Sequence, residues 1–166
     1  VRTVQAPHMP QKQLANLVRH EMQNREEQMV VADYMPLGED AEGKLTMFCA
    51  ACRAATLEEY LDLFDELDLR LAHVTVPMAN YLKAMQRMDE MQGQSCIWML
   101  FEESSVLAVL IEDGKYQYSS RSRIFSEPGT VDFSTEVTRN LSGMLQFRSA
   151  GRRERSLAAV YYAGCT

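Results

Sequence analysis

The sequence predicts an α/β fold whose strands cluster in hairpins and do not alternate strictly with helices. Three apolar stretches follow one another between residues 96 and 118, and Asp113-Gly114, a dipeptide typical of hairpin turns, joins the second to the third. A fourth stretch, residues 156–162, precedes Ala163-Gly164. A helical pattern separates the first three stretches from the fourth, and further helical patterns separate the strands of the first half, so the predicted order is β-α-β-β-α-β-α, then β-β-β-α-β.

A short strand over residues 2–6 opens the first half and is followed by a helix. Pro10 stands where the first turn of a helix tolerates proline, and apolar residues then recur at helical spacing. Two strand-like stretches, 29–34 and 44–52, flank a loop over residues 36–43. This pattern predicts a β-hairpin.

A second helix is predicted from Thr56, a strong N-cap residue, to about Leu69. Its expected buried stripe consists of Leu57, Tyr60, Leu61, Phe64 and Leu67. Residues 72–76 then read as a strand, and residues 78–91 as a third helix. A fourth helix, over residues 134–149, is predicted between the hairpins and the last strand.

The composition is that of an ordinary globular protein and excludes some binding functions. The 166 residues are 46% hydrophobic and 24% charged, with a net charge of -6 and a pI near 5.1. An acidic protein lacks the basic field that non-specific binding to nucleic acid or to an anionic membrane requires. No run approaches the ~20 apolar residues that span a bilayer, so we expect a cytoplasmic protein without direct membrane insertion.

The four cysteines are scattered, which fits a reducing compartment better than a disulfide framework. Only Cys49 and Cys52 are close together, and side chains three residues apart in a strand point to opposite faces. No second ligand pair with metal spacing accompanies them, so core packing is favoured over a zinc or redox site. We predict that the two thiols bind no metal and form no disulfide with each other.

No catalytic constellation is visible in the sequence. It contains no Gly-x-Ser-x-Gly elbow, no His-Glu-x-x-His motif and no Walker-type loop. The one basic cluster, most simply a solvated loop, consists of Arg148, Arg152, Arg153 and Arg155. We therefore assign no catalytic residue and no metal ligand.

Several local signatures follow one another in a characteristic order. A Pro-His-Met-Pro segment at residues 7–10 leads into a helix that carries Glu21; Asp33 precedes Leu37, and residues 56–69 repeat tyrosine and leucine at helical spacing. In this order they resemble the PilM family, the cytoplasmic actin-like protein of type IV pilus machines, with its FtsA-like and GspL-like relatives. The resemblance extends over essentially the whole chain and implies an actin-like ATPase fold of the ribonuclease H-like class.

The resemblance also implies how the chain is divided. Residues 1–76 would form a small 1C subdomain, which the family inserts into its first actin-like lobe. Residues 77–94 would be a connecting helix of that lobe, and residues 95–166 would be part of the second lobe. The chain would then be an interior fragment of a longer protein.

A nucleotide site with altered residues is implied as well. Actin-like ATPases carry an Asp-x-Gly loop at the first hairpin turn of the second lobe, where glycine lets backbone N–H groups approach a phosphate and the carboxylate organises Mg²⁺. Counting back from Asp113-Gly114, the matching residues are Leu100, Phe101 and Glu102. Leucine cannot serve a metal, and a glutamate side chain adds bulk and negative charge.

The remaining nucleotide contacts that the resemblance implies are weak. Ser104 and Ser105 would donate hydrogen bonds to a phosphate, and Gly164, followed by Cys165, would stand at the adenosine motif. ATP with Mg²⁺ is the ligand of the family, but we expect no bound cofactor and no useful ATPase activity here.

The function that the resemblance implies is that of a cytoplasmic scaffold in a type IV pilus or type II secretion-like assembly machine. In the family, PilM receives the short cytoplasmic tail of membrane-anchored PilN. We therefore expect a PilN-like partner, self-association, no nucleic acid, and a location at the inner face of the cell membrane through the partner. Two alternatives remain open: a working actin-like ATPase and an FtsA-like cell-division adaptor.

Overall fold

A computed structural model describes residues 1–24, 26–40, 42–150 and 156–164 of the chain. The chain divides into two compact units, Val1–Lys83 and Ala84–Thr166. The helices and strands are β1 (Arg2–Ala6), α1 (Gln11–Gln23), β2 (Val30–Glu39), β3 (Leu45–Arg53), α2 (Ala54–Glu66), α3 (Pro77–Met85), β4 (Cys96–Glu102), β5 (Ser105–Glu112), β6 (Lys115–Arg123), α4 (Val131–Ala150) and β7 (Ala159–Ala163).

An antiparallel sheet in the order β1-β3-β2 forms the first unit. The predicted first strand and the predicted hairpin of β2 and β3 are confirmed. α1 covers one face of the sheet, where Leu14 and Val18 pack with Met47 and Cys49 in a buried core. The helical stripe thus meets alternate residues of β3, which point to the same face.

β2 continues through part of the segment predicted as a loop. Pro36, Gly38 and Glu39 pair with β3, so the loop begins only after Glu39. A register shift between Pro36 and Gly38 takes up Leu37, and Gly38 has a φ of +130°. A bulged strand at the edge of a sheet tolerates proline. It has a neighbouring strand on one side only, so a missing N–H need not cost a hydrogen bond between strands.

α2 differs from the predicted helix in its start and in its burial. It begins at Ala54 directly after β3, so Thr56 lies inside the first turn and is not the N-cap. None of its residues is buried; in the predicted stripe, Tyr60 is 57% and Leu67 is 59% exposed. The prediction of a buried stripe was wrong because helical spacing identifies an apolar face but not the layer that would cover it.

The chain between α2 and α3 does not form the strand predicted at residues 72–76. These residues pair with no strand among those that the structure describes, and an apolar run without a neighbour cannot complete a ladder. α3 is also shorter than predicted. The backbone N–H groups of Arg87 and Met88 bond three residues back, at 3.0 and 3.1 Å, which tightens the chain into a turn before a short 3-10 helix, Asp89–Met91.

The second unit contains a four-stranded sheet in the order β6-β5-β4-β7. The predicted hairpin strands and the last strand are confirmed, with Asp113-Gly114 between β5 and β6. β4 is antiparallel to β5 and parallel to β7. α4 covers one face of this sheet, where Met144 packs with Ile97, Met99 and Leu110 in a buried core.

α4 is longer than predicted and is held at both ends. It begins at Val131, after Thr130, whose Oγ1 accepts a hydrogen bond from the N–H of Phe133 at 3.1 Å. In its last turn, Nε of Arg148 donates to Oε1 of Glu112 at 3.1 Å, and both side chains are nearly buried. The assignment of Arg148 to a solvated loop was therefore wrong; Arg152, Arg153 and Arg155 lie outside the described residues.

Replacing Ile97 with alanine should lower the free energy of unfolding of the second unit by about 2–5 kcal/mol, because Ile97 is fully buried and its loss leaves a cavity. Leu145→Ala, on the exposed side of α4, is the control and should cost less than about 0.5 kcal/mol. Urea unfolding followed by the fluorescence of Trp98, the single tryptophan, measures both. Equal losses in the two variants would contradict the burial of Ile97.

Candidate functional site

The residues predicted to contact a nucleotide lie at one edge of the second sheet. β4 and β7 are parallel, with Leu100 opposite Ala163, so the carboxyl ends of both strands reach the same edge. Ligands of open α/β sheets bind outside the carboxyl ends of the strands. Ser104, between β4 and β5, and Gly164, directly after β7, therefore flank the position where a ligand is expected.

The turn between β4 and β5 consists of Glu103 and Ser104. Glu102 and Ser105 form the last pair of this hairpin, so the two residues between them make the whole connection. Glu103 has a φ of +32°, in the region that favours glycine over residues with a side chain. Counting along the sequence matched Glu102 to the glycine of the Asp-x-Gly loop, but the hairpin register places the left-handed residue one position later.

The charge of this turn is only partly compensated. Oε2 of Glu102 accepts a hydrogen bond from Nη1 of Arg121 on β6 at 2.6 Å. Glu103 is exposed, and no ion pair involving it is found in the part of the chain that the structure describes. A phosphate at this turn would therefore meet one neutralised and one free carboxylate. The sequence did not single out Arg121, because it lies across β5 from Glu102.

Gly164 is required by the close approach of two strand ends. Its φ is +78°, and a Cβ added there would lie 2.3 Å from the carbonyl oxygen of Phe101. No side chain fits at this distance without moving the backbone of β4. In this fold the glycine therefore lets β7 end against β4; Cys165, which follows it, lies outside the described residues.

The first unit contains an apolar groove that the sequence did not reveal. It has a volume of about 400 Å³ and lies on the sheet face opposite α1. Val31, Phe48 and Ala50 line its floor, and residues 73–76 and Ala79 at the start of α3 form its wall. We call this feature the sheet-face groove.

Polar groups stand among the apolar residues of the sheet-face groove. They include Asp33 on β2, His73 in the wall and Lys83 on α3. An apolar cavity with a few polar groups is typical of binding sites. Separate stretches of the chain supply this lining, so no local motif could mark it; the only sequence signal was that β2 and β3 are apolar on both faces.

The two neighbouring cysteines lie in different environments. Cys49 faces the core under α1 and is fully buried, whereas Cys52 is exposed and lines the sheet-face groove, so the prediction of opposite faces is confirmed. Burial raises the pKa of the Cys49 thiol from 9.0 to about 11. Within the described ranges, no group of three or more histidine, cysteine, aspartate or glutamate residues is arranged to hold a metal ion.

Known proteins provide a structural likeness but no sequence match. No protein-family model matches this chain, and no curated protein matches it. This chain is similar to a chain in the solved structure of a PilM-PilN type IV pilus biogenesis complex. The TM-score is 0.59 and the sequence identity is 23%, and the match covers 91% of this chain and 47% of that chain. The chain has an actin-like ATPase fold. The fold class that the resemblance implied is thereby confirmed.

A second solved structure is similar at a lower score. It is a protein of unknown function with an actin-like ATPase fold from Bacteroides thetaiotaomicron, at a TM-score of 0.49 and 11% identity, covering 99% of this chain and 57% of that one. The present chain spans about half the length of the solved chains that it matches.

Stability should fall at alkaline pH as Cys49 ionises. The pKa of its thiol is about 11 in the folded protein and 9.0 when unperturbed, so the folded state holds the proton more tightly. Its contribution is fully present below about pH 9 and is lost as the pH rises towards about 11. Urea unfolding between about pH 9 and about pH 11 measures how much free energy of unfolding is lost as the pH rises. This loss should be smaller in Cys49→Ala than in Cys52→Ala, which alters an exposed thiol. An equal loss in the two variants would count against this assignment.

Proposed function

We propose that this protein is a PilM-like cytoplasmic scaffold of a type IV pilus or type II secretion-like assembly machine, without useful nucleotide turnover. The actin-like fold and the likeness to a PilM-PilN complex support the proposal. The observation that carries it is the turn between β4 and β5, where Glu103 occupies the left-handed position that suits glycine.

The residues at this turn do not fit MgATP. A triphosphate with Mg²⁺ needs backbone N–H donors at close range and a carboxylate that organises the water ligands of the metal. The carboxylate of Glu102 is engaged by Arg121, and the exposed Glu103 adds a second carboxylate within the turn itself. A negative unit charge ~4 Å from a phosphate repels it by about 4 kcal/mol at an effective dielectric constant of 20. This repulsion lowers the affinity close to a thousandfold.

The partner in this proposal is the short cytoplasmic tail of a membrane-anchored PilN-like protein, and the sheet-face groove is its binding site. The volume of about 400 Å³ suits a few side chains of an extended peptide. Asp33 and Lys83 would orient the tail, and the apolar floor would contribute most of the binding free energy.

The partner would hold the protein at the inner face of the cell membrane. None of the helices in the described part of the chain combines the length and the apolar character needed to cross a bilayer. Attachment through a tail bound in the sheet-face groove requires no such helix.

The exposed stripe of α2 supports a further part of the proposal, that residues 1–166 belong to a longer polypeptide. The stripe is apolar, residues 72–76 pair with no described strand, and this chain covers 47% of the matched chain of the PilM-PilN complex. A further layer of the first actin-like lobe would cover the stripe and provide a partner strand for residues 72–76.

The longest natural polypeptide that contains this chain should bind MgATP more weakly than about 1 mM, because of the charge and the bulk of the Glu103 side chain at a position that suits glycine. Glu103→Gly removes both obstacles and should bind more tightly, whereas Glu59→Gln, which removes a charge from exposed α2, should not change the affinity. Isothermal titration calorimetry measures all three. Micromolar binding by the unmodified protein would favour the working ATPase instead.

A synthetic peptide with the sequence of a PilN cytoplasmic tail should bind to the sheet-face groove. Ala79→Phe places a ring in the groove and should weaken binding by at least about tenfold. Ala55→Phe adds the same ring at the exposed start of α2 and should leave the affinity unchanged. Fluorescence anisotropy of the labelled peptide measures both; equal affinities in the two variants would exclude this groove.

A further inference from the structure

A second groove, which the proposed function does not use, lies between β6 and α4 in the second unit. Its volume is about 640 Å³. Tyr118, Ser120 and Ser122, alternate residues of β6, line one side, and α4 lines the other side from Glu136 to Phe147. We call it the β6–α4 groove.

The open side of this groove is a sheet edge. β6 is the last strand in the order β6-β5-β4-β7, and no described segment pairs with its outer edge over residues 118–123. In an antiparallel edge strand, every second residue directs its N–H and C=O groups away from the neighbouring strand. This edge can therefore form main-chain hydrogen bonds with an additional strand.

The middle of the β6–α4 groove has room for a peptide backbone. The side chains of Ser120 and Ser122 are short, and Gly143 of α4 has none. A Cβ added at Gly143 would have no atom within 4 Å, so the space beside it is open. Glycine in the middle of a helix costs about 1 kcal/mol relative to alanine, and here its missing side chain leaves this space open.

Aromatic side chains stand at the two ends of the groove. Tyr118 stacks on Phe147, with ring centroids 4.1 Å apart and an interplanar angle of 16°. Phe125, at the other end, is 80% exposed. These rings offer apolar contact to side chains of an extended ligand.

Positive charges outnumber negative ones in the groove, where Arg123 and Arg139 stand against Glu136. Arg123 lies over the ring of Phe125 at 5.8 Å, and Arg139 makes no hydrogen bond within the described part of the chain. The carboxylate of Glu136 is already engaged, because it accepts hydrogen bonds from the N–H of Phe125 at 2.9 Å and from Oγ of Ser126 at 2.7 Å. Two guanidinium groups against one carboxylate leave the groove with a net positive charge, in a protein of net charge -6, and so favour an acidic ligand.

From these features we propose that the β6–α4 groove binds an extended acidic segment of a partner protein as an additional strand beside β6. Main-chain hydrogen bonds to residues 118–123 provide affinity, as in other cases of strand addition. Carboxylates of the segment pair with Arg123 and Arg139, and apolar residues contact Tyr118 and Phe125. This surface is separate from the sheet-face groove, so each proposal can fail without the other.

The test uses the full 166-residue chain and a synthetic peptide of alternating glutamate and valine, about seven residues long, observed by NMR. Amide signals of residues 118–123 and of α4 should shift on titration. The same peptide with lysine in place of glutamate should bind at least about tenfold more weakly, as should the glutamate peptide with a central proline, which lacks one N–H donor.

Variants of the groove separate its parts. Arg123→Gln combined with Arg139→Gln should weaken binding by about tenfold, and Gly143→Trp should abolish it by filling the open space. Gly143→Ala, which keeps the space and favours the helix, is the matched control and should bind as the unmodified chain does. The double arginine variant preserves the test if Gly143→Trp does not fold.

Each of several results would overturn the proposal. They are equal binding of the lysine peptide, shifts outside residues 118–123 and α4, and unchanged affinity in the double arginine variant. Equal binding of the proline peptide would exclude the added strand. Inorganic phosphate that causes the same shifts at the same concentration as the peptide would identify a simple anion site.

Discussion

The pairing of β4 with both β5 and β7 is the constraint on which the second unit depends. β4 carries Ile97 and Met99 into the core under α4, and Cys96 on its other face is also fully buried. A strand buried on both faces has a nearly continuous apolar sequence, as this one does. Because Leu100 lies opposite both Leu107 and Ala163, the same register that builds the core also sets where the hairpin turns and where β7 ends.

Local signals predicted most of the fold, and failures arose where a partner decided the outcome. Asp113-Gly114 could be recognised alone, because a two-residue hairpin turn depends on its own dihedral angles. α2 could not be assigned correctly: its spacing predicts an apolar face whether or not another layer covers it. The prediction of a strand at residues 72–76 was wrong for the same reason, because a strand requires a neighbouring strand. Pro36 suggested a loop because its place at a sheet edge is not visible in the sequence.

The candidate sites were predicted less well than the fold because they combine distant residues. The sequence identified the turn region and Gly164, but it placed the glycine-like position at Glu102, and only the hairpin register assigns it to Glu103. Arg121, which neutralises Glu102, comes from a different strand. The sheet-face groove has no motif at all, because strands, an irregular segment and a helix each contribute a few ordinary apolar residues.

The nearly buried pair of Glu112 and Arg148 has a consequence for how α4 lies along the sheet. The two groups lose their hydration, and Nη2 of Arg148 has no hydrogen-bond acceptor among the described residues, so the pair adds little net stability. Displacing α4 by one turn would separate the two charges while both stayed shielded from water, at a cost of about 3–5 kcal/mol. Apolar side chains tolerate such sliding more readily, because their attraction has no direction. The ion pair therefore selects one axial position of α4 from those that the apolar core alone would permit.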